Sequence, residues 1–309
     1  MDEVQFKEAL NEKSTQVESL LKEYLPKEEG YQKKVIQAMN YSLMAGGKRL
    51  RPILMYETYR MLGGKGKEIY PFMAAMEMIH TYSLVHDDLP AMDNDEYRRG
   101  RKTTHVVYGE AFAILAGDGL LNYAFETALK AFSFCDPEEP TELSIQYERI
   151  GRALQVLAKK AGIYGMIGGQ NADIEAEAQT KPLSREQLLF IHEHKTAALI
   201  QAAMMVGAIL AGAEEKEVSL IEKCAYNIGV AFQIQDDILD VIGDSEELGK
   251  QVGSDEKNHK QTYVTINGLE KSQREVAELS REAVTILEQL PGDQEFLTQL
   301  ILMLIDRRK

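Results

Sequence analysis

The chain has 309 residues, 44% apolar and 27% charged, and its 49 acidic against 35 basic residues give a formal net charge of -14. That composition belongs to a globular chain long enough to bury a sizeable core and excludes an intrinsically disordered one. A diffuse negative field repels nucleic acid and anionic membranes, so neither is expected as a principal partner, and an anionic ligand needs metal ions or a local basic cluster.

The first stretch, Met1 to Ser14, is charged and lacks the apolar run of a signal peptide. Cys135 and Cys224 lie far apart and imply no disulfide framework, so a cytoplasmic location is expected. Apolar spacing is helical nearly everywhere and strand-type alternation nearly absent, which predicts an all-α protein. Gly46-Gly47-Lys48-Arg49-Leu50-Arg51-Pro52 is a basic knot at a turn into a helix, but its glycine spacing is not that of a P-loop. After a break at Gly63-Gly64, apolar residues fill most positions of Phe72 to Leu84, with Glu77 and His80 as polar exceptions. A helix covered on most sides is predicted there.

That helix closes on His86-Asp87-Asp88-Leu89-Pro90-Ala91-Met92-Asp93, followed by Arg98-Arg99-Gly100-Arg101-Lys102. Breaks are predicted at Asp136-Pro137 to Pro140, Lys181-Pro182 and Pro291-Gly292. Gly168-Gly169-Gln170 and Asp173 lie on a helical segment whose glycines allow close helix approach, with either a packing or a site role. Ser184-x-x-Gln187 has the form of a capping box. His192-Glu193-His194-Lys195-Thr196 lacks the spacing that puts two imidazoles on one helix face, which argues against zinc, and leads into the charge-free run Ala197 to Ala213. That run is nearly long enough to span a bilayer, but its Ala/Gly content, Gln201 and the lack of a second such run predict a buried helix. Gln233-Ile234-Gln235-Asp236-Asp237-Ile238-Leu239-Asp240 ends another apolar helix. Gly243 to Lys260 is polar and glycine-punctuated, a predicted functional loop. No long linker or repeat divides the chain, so a single domain over 1–309 is expected.

Adjacent carboxylates at the end of a buried helix repel each other and lose hydration, which a divalent cation between them offsets. Pro90 forces a distortion that can return Asp93 toward Asp87, and Asp236 and Asp240 share a helix face one turn apart. Hard oxygen donors favour Mg²⁺ or Mn²⁺. A solvated helix end would explain one such run, but not two, each behind an apolar helix. The basic run 98–102 fits a metal-bridged polyphosphate, with a surface ion-pair patch as the other reading. His80 is either a further donor to that site or a packing residue.

Taken together, the residues resemble the trans-isoprenyl diphosphate synthases, most closely the bacterial farnesyl diphosphate synthases. The resemblance rests on GGKRLRP at 46–52, the run from His80 through DDLPAMD to Arg99, GGQNAD at 168–173, HKT at 194–196, QIQDDILD at 233–240 and the GK…GSD…K loop. It implies the isoprenoid synthase fold, a helical bundle around a deep central cavity, in a homodimer. It implies that Asp87 and Asp93 bind Mg²⁺ with support from Asp88, that Asp236 binds a further ion on the opposite wall with Asp240 acting through water, and that three ions serve each site. It assigns Arg98, Lys195, Lys250 and Lys260 to an allylic diphosphate, and Lys48, Arg51, His80 and Arg99 to isopentenyl diphosphate. Thr196, Gln233 and the carbonyl of Lys195 would face a developing carbocation, with the Gly243 to Lys260 loop as a lid against water.

The implied reaction is a Mg²⁺-dependent head-to-tail condensation that releases pyrophosphate. Tyr82-Ser83 lies where a growing tail would point; with the two extra residues between Asp88 and Asp93 it resembles the farnesyl (C15) type and makes Tyr82 the expected cavity floor. The alternatives are a geranylgeranyl (C20) synthase, a terpene cyclase, against which QIQDDILD argues, and a non-catalytic regulatory subunit, which would be expected to lack one aspartate cluster.

Overall fold

The computed structural model describes residues 1–135, 140–179, 182–242 and 261–305. Among these the secondary structure is helical apart from one hairpin, as the all-α expectation required. The elements are α1 (Glu3–Glu23), α2 (Lys33–Leu43), α3 (Leu50–Met61), α4 (Ile69–Asp87), β1 (Tyr97–Arg98), β2 (Arg101–Lys102), α5 (Thr104–Tyr108), α6 (Glu110–Leu129) and a 3-10 turn (Lys130–Phe134). They continue with α7 (Pro140–Ala161), α8 (Met166–Glu177), α9 (Arg185–Ile191), a π-turn (His192–Ala197), α10 (Ala198–Ala211), α11 (Glu215–Ile242), α12 (Tyr263–Asn267), α13 (Leu269–Leu287) and α14 (Glu295–Ile305). The residues fall into two compact units, one of Asp2–Tyr56 and Lys65–Leu154, the other of Met1, Glu57–Gly64 and Gln155–Lys309.

In the first of these units α4 is the central helix. From Ile69 to Val85 nearly every residue is buried, including Glu77, as its almost uninterrupted apolar sequence requires. It packs most extensively against α6, whose buried Ala113, Ala116, Gly117 and Ala124 let the backbones approach. Gly117 makes room for the His86 ring: a Cβ there would lie 2.1 Å from its Nε2. The basic run 98–102 forms the hairpin, with Tyr97 opposite Lys102 and Arg98 opposite Arg101. Its two-residue turn, Arg99-Gly100, has both φ angles positive, at 53° and 74°, the geometry that suits the strand twist.

In the other unit α10 is buried from Ala198 to Leu210. Its one strongly polar side chain, Gln201, accepts from Lys160 Nζ at 2.8 Å, and the same ammonium meets Glu222 at 2.7 Å. The stretch Arg185–Ala211 is long and apolar enough to cross a membrane by composition, yet 78% of its most apolar window is packed inside the protein, the buried-helix arrangement expected. Gly212, with φ 89°, ends α10 through bonds from its own N–H to Ile209 and from Ala213 N–H to Ala208, both 3.0 Å. The Ser184 capping box is present as read, its side chain accepting from Gln187 N–H.

Candidate active site

The carboxylates at the end of α4 are shaped by the chain reversal that Pro90 starts. Asp93 N–H donates to the Asp87 carbonyl at 2.8 Å, while Met92 and Asn94 N–H groups reach Leu89 O at 2.9 and 3.1 Å. The intervening residues loop out and Asp93 returns beside Asp87. Asp87 is half-buried and Asp93 exposed. Asp88 differs: it is buried and accepts from Arg98 Nε at 2.6 Å, with Asp95 3.6 Å from the same guanidinium. Burial pushes the Asp88 carboxyl above its ordinary value despite Arg98, and the neighbouring Asp95 and Asp93 add to that push.

In the same unit, the turn 46–49 and Arg99 come together. Gly46 and Gly47 have φ of 84° and 133°, and the Arg99 guanidinium donates to the Gly46 carbonyl and lies against Gly47, where a Cβ would meet it. Lys48 is exposed beside this contact. Arg51 Nη1 lies 3.3 Å from His80 Nε2, and Arg51 Nε is buried with no hydrogen-bond partner among the described residues. Desolvation lowers the Arg51 pKa to about 10, and the charge of Arg99 adds to that against the opposing pull of Glu77.

His80 is held well below its ordinary value, first by burial and then by Arg51, Arg99, Arg49 and Arg98. Such a concentration of cations around a neutral imidazole is what an anion site presents. Above pH 6.5 folded and unfolded His80 are both neutral; as pH falls below 6.5 the unfolded chain takes up the proton first. Stability is therefore lost on acidification from 6.5 down to the depressed folded value. Urea midpoints measured from pH 7.5 downward should fall through this window, and His80→Gln should flatten that part of the decline.

Tyr82 is 5% exposed and makes an edge-to-face contact with His86, ring centroids 5.8 Å apart. Its hydroxyl is buried without a partner among the described residues, and burial, then the Asp87 charge, push its pKa up to about 12. Ser83 is half-buried and donates to the His80 carbonyl of its own helix at 2.9 Å.

The second set of candidates lies on the π-turn and α11. The π-turn widens the helix by one residue where Lys195 and Thr196 stand, a feature frequent at functional sites. Lys195 Nζ meets Asp173 Oδ2 at 2.6 Å, and Thr196 Oγ1 donates to Gln233 Oε1 at 2.8 Å. Gly169 has a packing role, since a Cβ there would lie 2.1 Å from the Lys195 nitrogen, and Gly229 likewise admits Ala197. Asp236 and Asp240 are half-buried one turn apart, whereas Asp237 is buried and accepts the Tyr263 N–H at 2.6 Å, with His192 Nε2 3.7 Å away. Lys250, Lys260 and the loop 243–260 lie outside the described residues.

The polyprenyl synthetase family profile matches residues 32–299. The chain belongs to the polyprenyl synthetase family. It is 44% identical over 277 residues to a farnesyl diphosphate synthase of Geobacillus stearothermophilus, covering 90% of this chain and 89% of that one. It is 43% identical over 274 residues to a geranylgeranyl diphosphate synthase of Cyanophora paradoxa, covering 89% and 87%. A crystal structure of a Helicobacter pylori geranyltransferase complexed with magnesium and isoprenyl diphosphate superposes with a TM-score of 0.79 at 32% identity, covering 97% of this chain and 96% of that one. This polyprenyl synthetase is therefore a prenyltransferase of isoprenoid biosynthesis, with the isoprenoid synthase fold.

Among the described residues of this polyprenyl synthetase, no group of three or more His, Cys, Asp or Glu is placed to hold a metal ion alone. Mg²⁺ commonly takes one or two carboxylates and completes its shell with water and substrate phosphate, so the turn at 87–93 and the face of Asp236 and Asp240 fit it. Three features escaped the sequence reading: the π-turn, the Arg98–Asp88 pair and the inward direction of Arg49. The one available signal was Glu77, a lone acid in an apolar helix, which calls for a buried cation.

Proposed function

We propose that this prenyltransferase is a farnesyl diphosphate synthase, condensing isopentenyl diphosphate with dimethylallyl and then geranyl diphosphate and stopping at C15. The observation that carries the chain length is Tyr82, a bulky, buried ring on α4 five residues before Asp87. The geranylgeranyl relative is nearly as similar as the farnesyl one, so product length rests on that residue and not on identity.

Asp87, Asp93 and Asp236 would hold Mg²⁺, three ions per site by the family resemblance, with Mn²⁺ able to use the same donors. The magnesium in the Helicobacter pylori complex supports this. When bound, the ions supply positive charge to the departing diphosphate. Arg98 and Lys195 would exchange their present carboxylate partners, Asp88 and Asp173, for allylic diphosphate oxygens. Lys48, Arg51, His80 and Arg99 would bind isopentenyl diphosphate, which the orphaned Arg51 Nε and the depressed His80 support. As the allylic C–O bond breaks, the Thr196 and Gln233 oxygens and the Lys195 carbonyl would stabilise the cation. The isopentenyl double bond attacks that cation, and the proton lost from the adjacent carbon goes to pyrophosphate.

Residues 1–309 would act as one polyprenyl synthetase domain, which the match over 32–299 supports. A homodimer is what the family resemblance implies, and the exposed pair Ile114-Leu115 of α6 is an apolar spot that a second copy would cover; a mass in solution of twice 34.8 kDa tests it. Two free cysteines support a cytoplasmic location, which fractionation of cells producing the chain would test. The central experiment incubates the protein with isopentenyl diphosphate, dimethylallyl or geranyl diphosphate and Mg²⁺, then measures product length. C15 is expected; C20 as the end product would overturn the farnesyl assignment, and no pyrophosphate release would overturn the reaction.

A further inference from the structure

Arg49 stands between Lys48 and Arg51, yet its side chain is 0% exposed. Each of its three nitrogens has a partner: Nε meets Glu18 Oε1 at 2.6 Å, Nη1 meets Glu77 Oε1 at 2.5 Å, and Nη2 donates to the Leu43 carbonyl at 2.7 Å. With no exposed surface, the guanidinium does not reach a substrate. Its backbone is also unusual, with φ of 50°, a conformation that costs a residue with a Cβ and persists only where the surroundings over-determine it. Here the over-determining contact is the buried side chain.

We propose that Arg49, clamped by Glu77 and Glu18, is a positioning residue that fixes the basic turn at the isopentenyl diphosphate site, an inference resting on the assignment of that site to Lys48, Arg51, His80 and Arg99. The left-handed step at Arg49 turns the chain between exposed Lys48 and the start of α3 at Leu50. Glu77 lies one helical turn before His80 on α4, so the bridge registers the start of α3 against the α4 face that carries the imidazole. The 3.3 Å approach of Arg51 to His80 lies on the same two elements. Lysine cannot replace this arrangement, since one ammonium on a flexible stem does not reproduce the planar fork that meets three fixed partners.

Charge and position predict opposite signs for one substitution. Glu77→Gln removes a negative charge from beside an anion site. If Glu77 acted through charge alone, the KM for isopentenyl diphosphate would fall. If it acts by holding Arg49, that KM rises, by about tenfold for displacement of a binding group, while the KM for geranyl diphosphate stays within about twofold.

The test compares steady-state kinetics of the full-length wild-type enzyme with those of Glu77→Gln, Arg49→Lys and Glu18→Gln, varying each substrate in turn. Arg49→Lys should match Glu77→Gln. Glu18 is 27% exposed and its loss leaves two Arg49 contacts, so Glu18→Gln should fold and give a smaller rise in the same direction. Lys48→Ala serves as the benchmark for the site. If it raises the KM for isopentenyl diphosphate and the clamp variants do not, or if they raise both KM values equally, the positioning role is overturned. If Lys48→Ala leaves that KM unchanged, the site assignment falls and the inference with it.

Discussion

Replacing Asp87 or Asp236 with alanine is expected to lower turnover by about a thousandfold or more while leaving the helical fold intact. Asp87 is the last residue of α4, where the helix dipole already places partial negative charge, and Asp93 is folded back beside it. A carboxylate at that end meets the dipole unfavourably by about 0.3–1 kcal/mol, which offsets part of what its removal costs the fold. Loss of activity without loss of stability is the signature of a group kept for chemistry. The adjacent residues are more deeply buried. Asp88 is bonded to Arg98 and Asp237 to the Tyr263 N–H, so alanine at either leaves a buried partner unsatisfied and should cost about 1–3 kcal/mol of stability. Single-turnover rates alongside urea denaturation would separate the two classes. Unfolding of both Asp87→Ala and Asp236→Ala would instead make the clusters structural.

Tyr82→Ala should shift the end product from C15 to C20 or longer. The ring is 5% exposed on α4, less than two turns before Asp87, and truncation removes its whole volume from the proposed floor. Tyr82→Phe is the control. The hydroxyl is buried without a partner among the described residues, a state that costs about 1–3 kcal/mol, so removing it should leave chain length at C15 and not reduce stability. Ser83, bonded to its own helix, should matter less for length. Chain-length analysis after incubation with isopentenyl and dimethylallyl diphosphates decides the matter: a Tyr82→Ala enzyme that still releases only C15 would remove Tyr82 from the role.

Much of this was legible without coordinates. The buried α4 and α10, the Ser184 cap, the basic turn before α3 and the all-α class all follow from spacing of apolar and turn-forming residues over a few positions. The return of Asp93 toward Asp87 was legible for the same reason, because Pro90 cannot continue a helix. Local periodicity and the fixed φ of proline act over distances that a sequence window contains.

What only tertiary structure decided is which member of each charged run faces inward. Lys48, Arg49 and Arg51 are alike in charge, and nothing in GGKRLRP marks Arg49 as the buried one. Glu18 and Glu77, 31 and 28 residues away, make that choice. Likewise Asp236-Asp237 reads as a uniform pair until Tyr263, 26 residues on, takes Asp237 as its partner. The sequence by itself determined the helices, the two acidic clusters and their basic complement, since each depends on neighbours along the chain. Which of those charges are buried was decided in three dimensions, because burial depends on residues brought together only by packing.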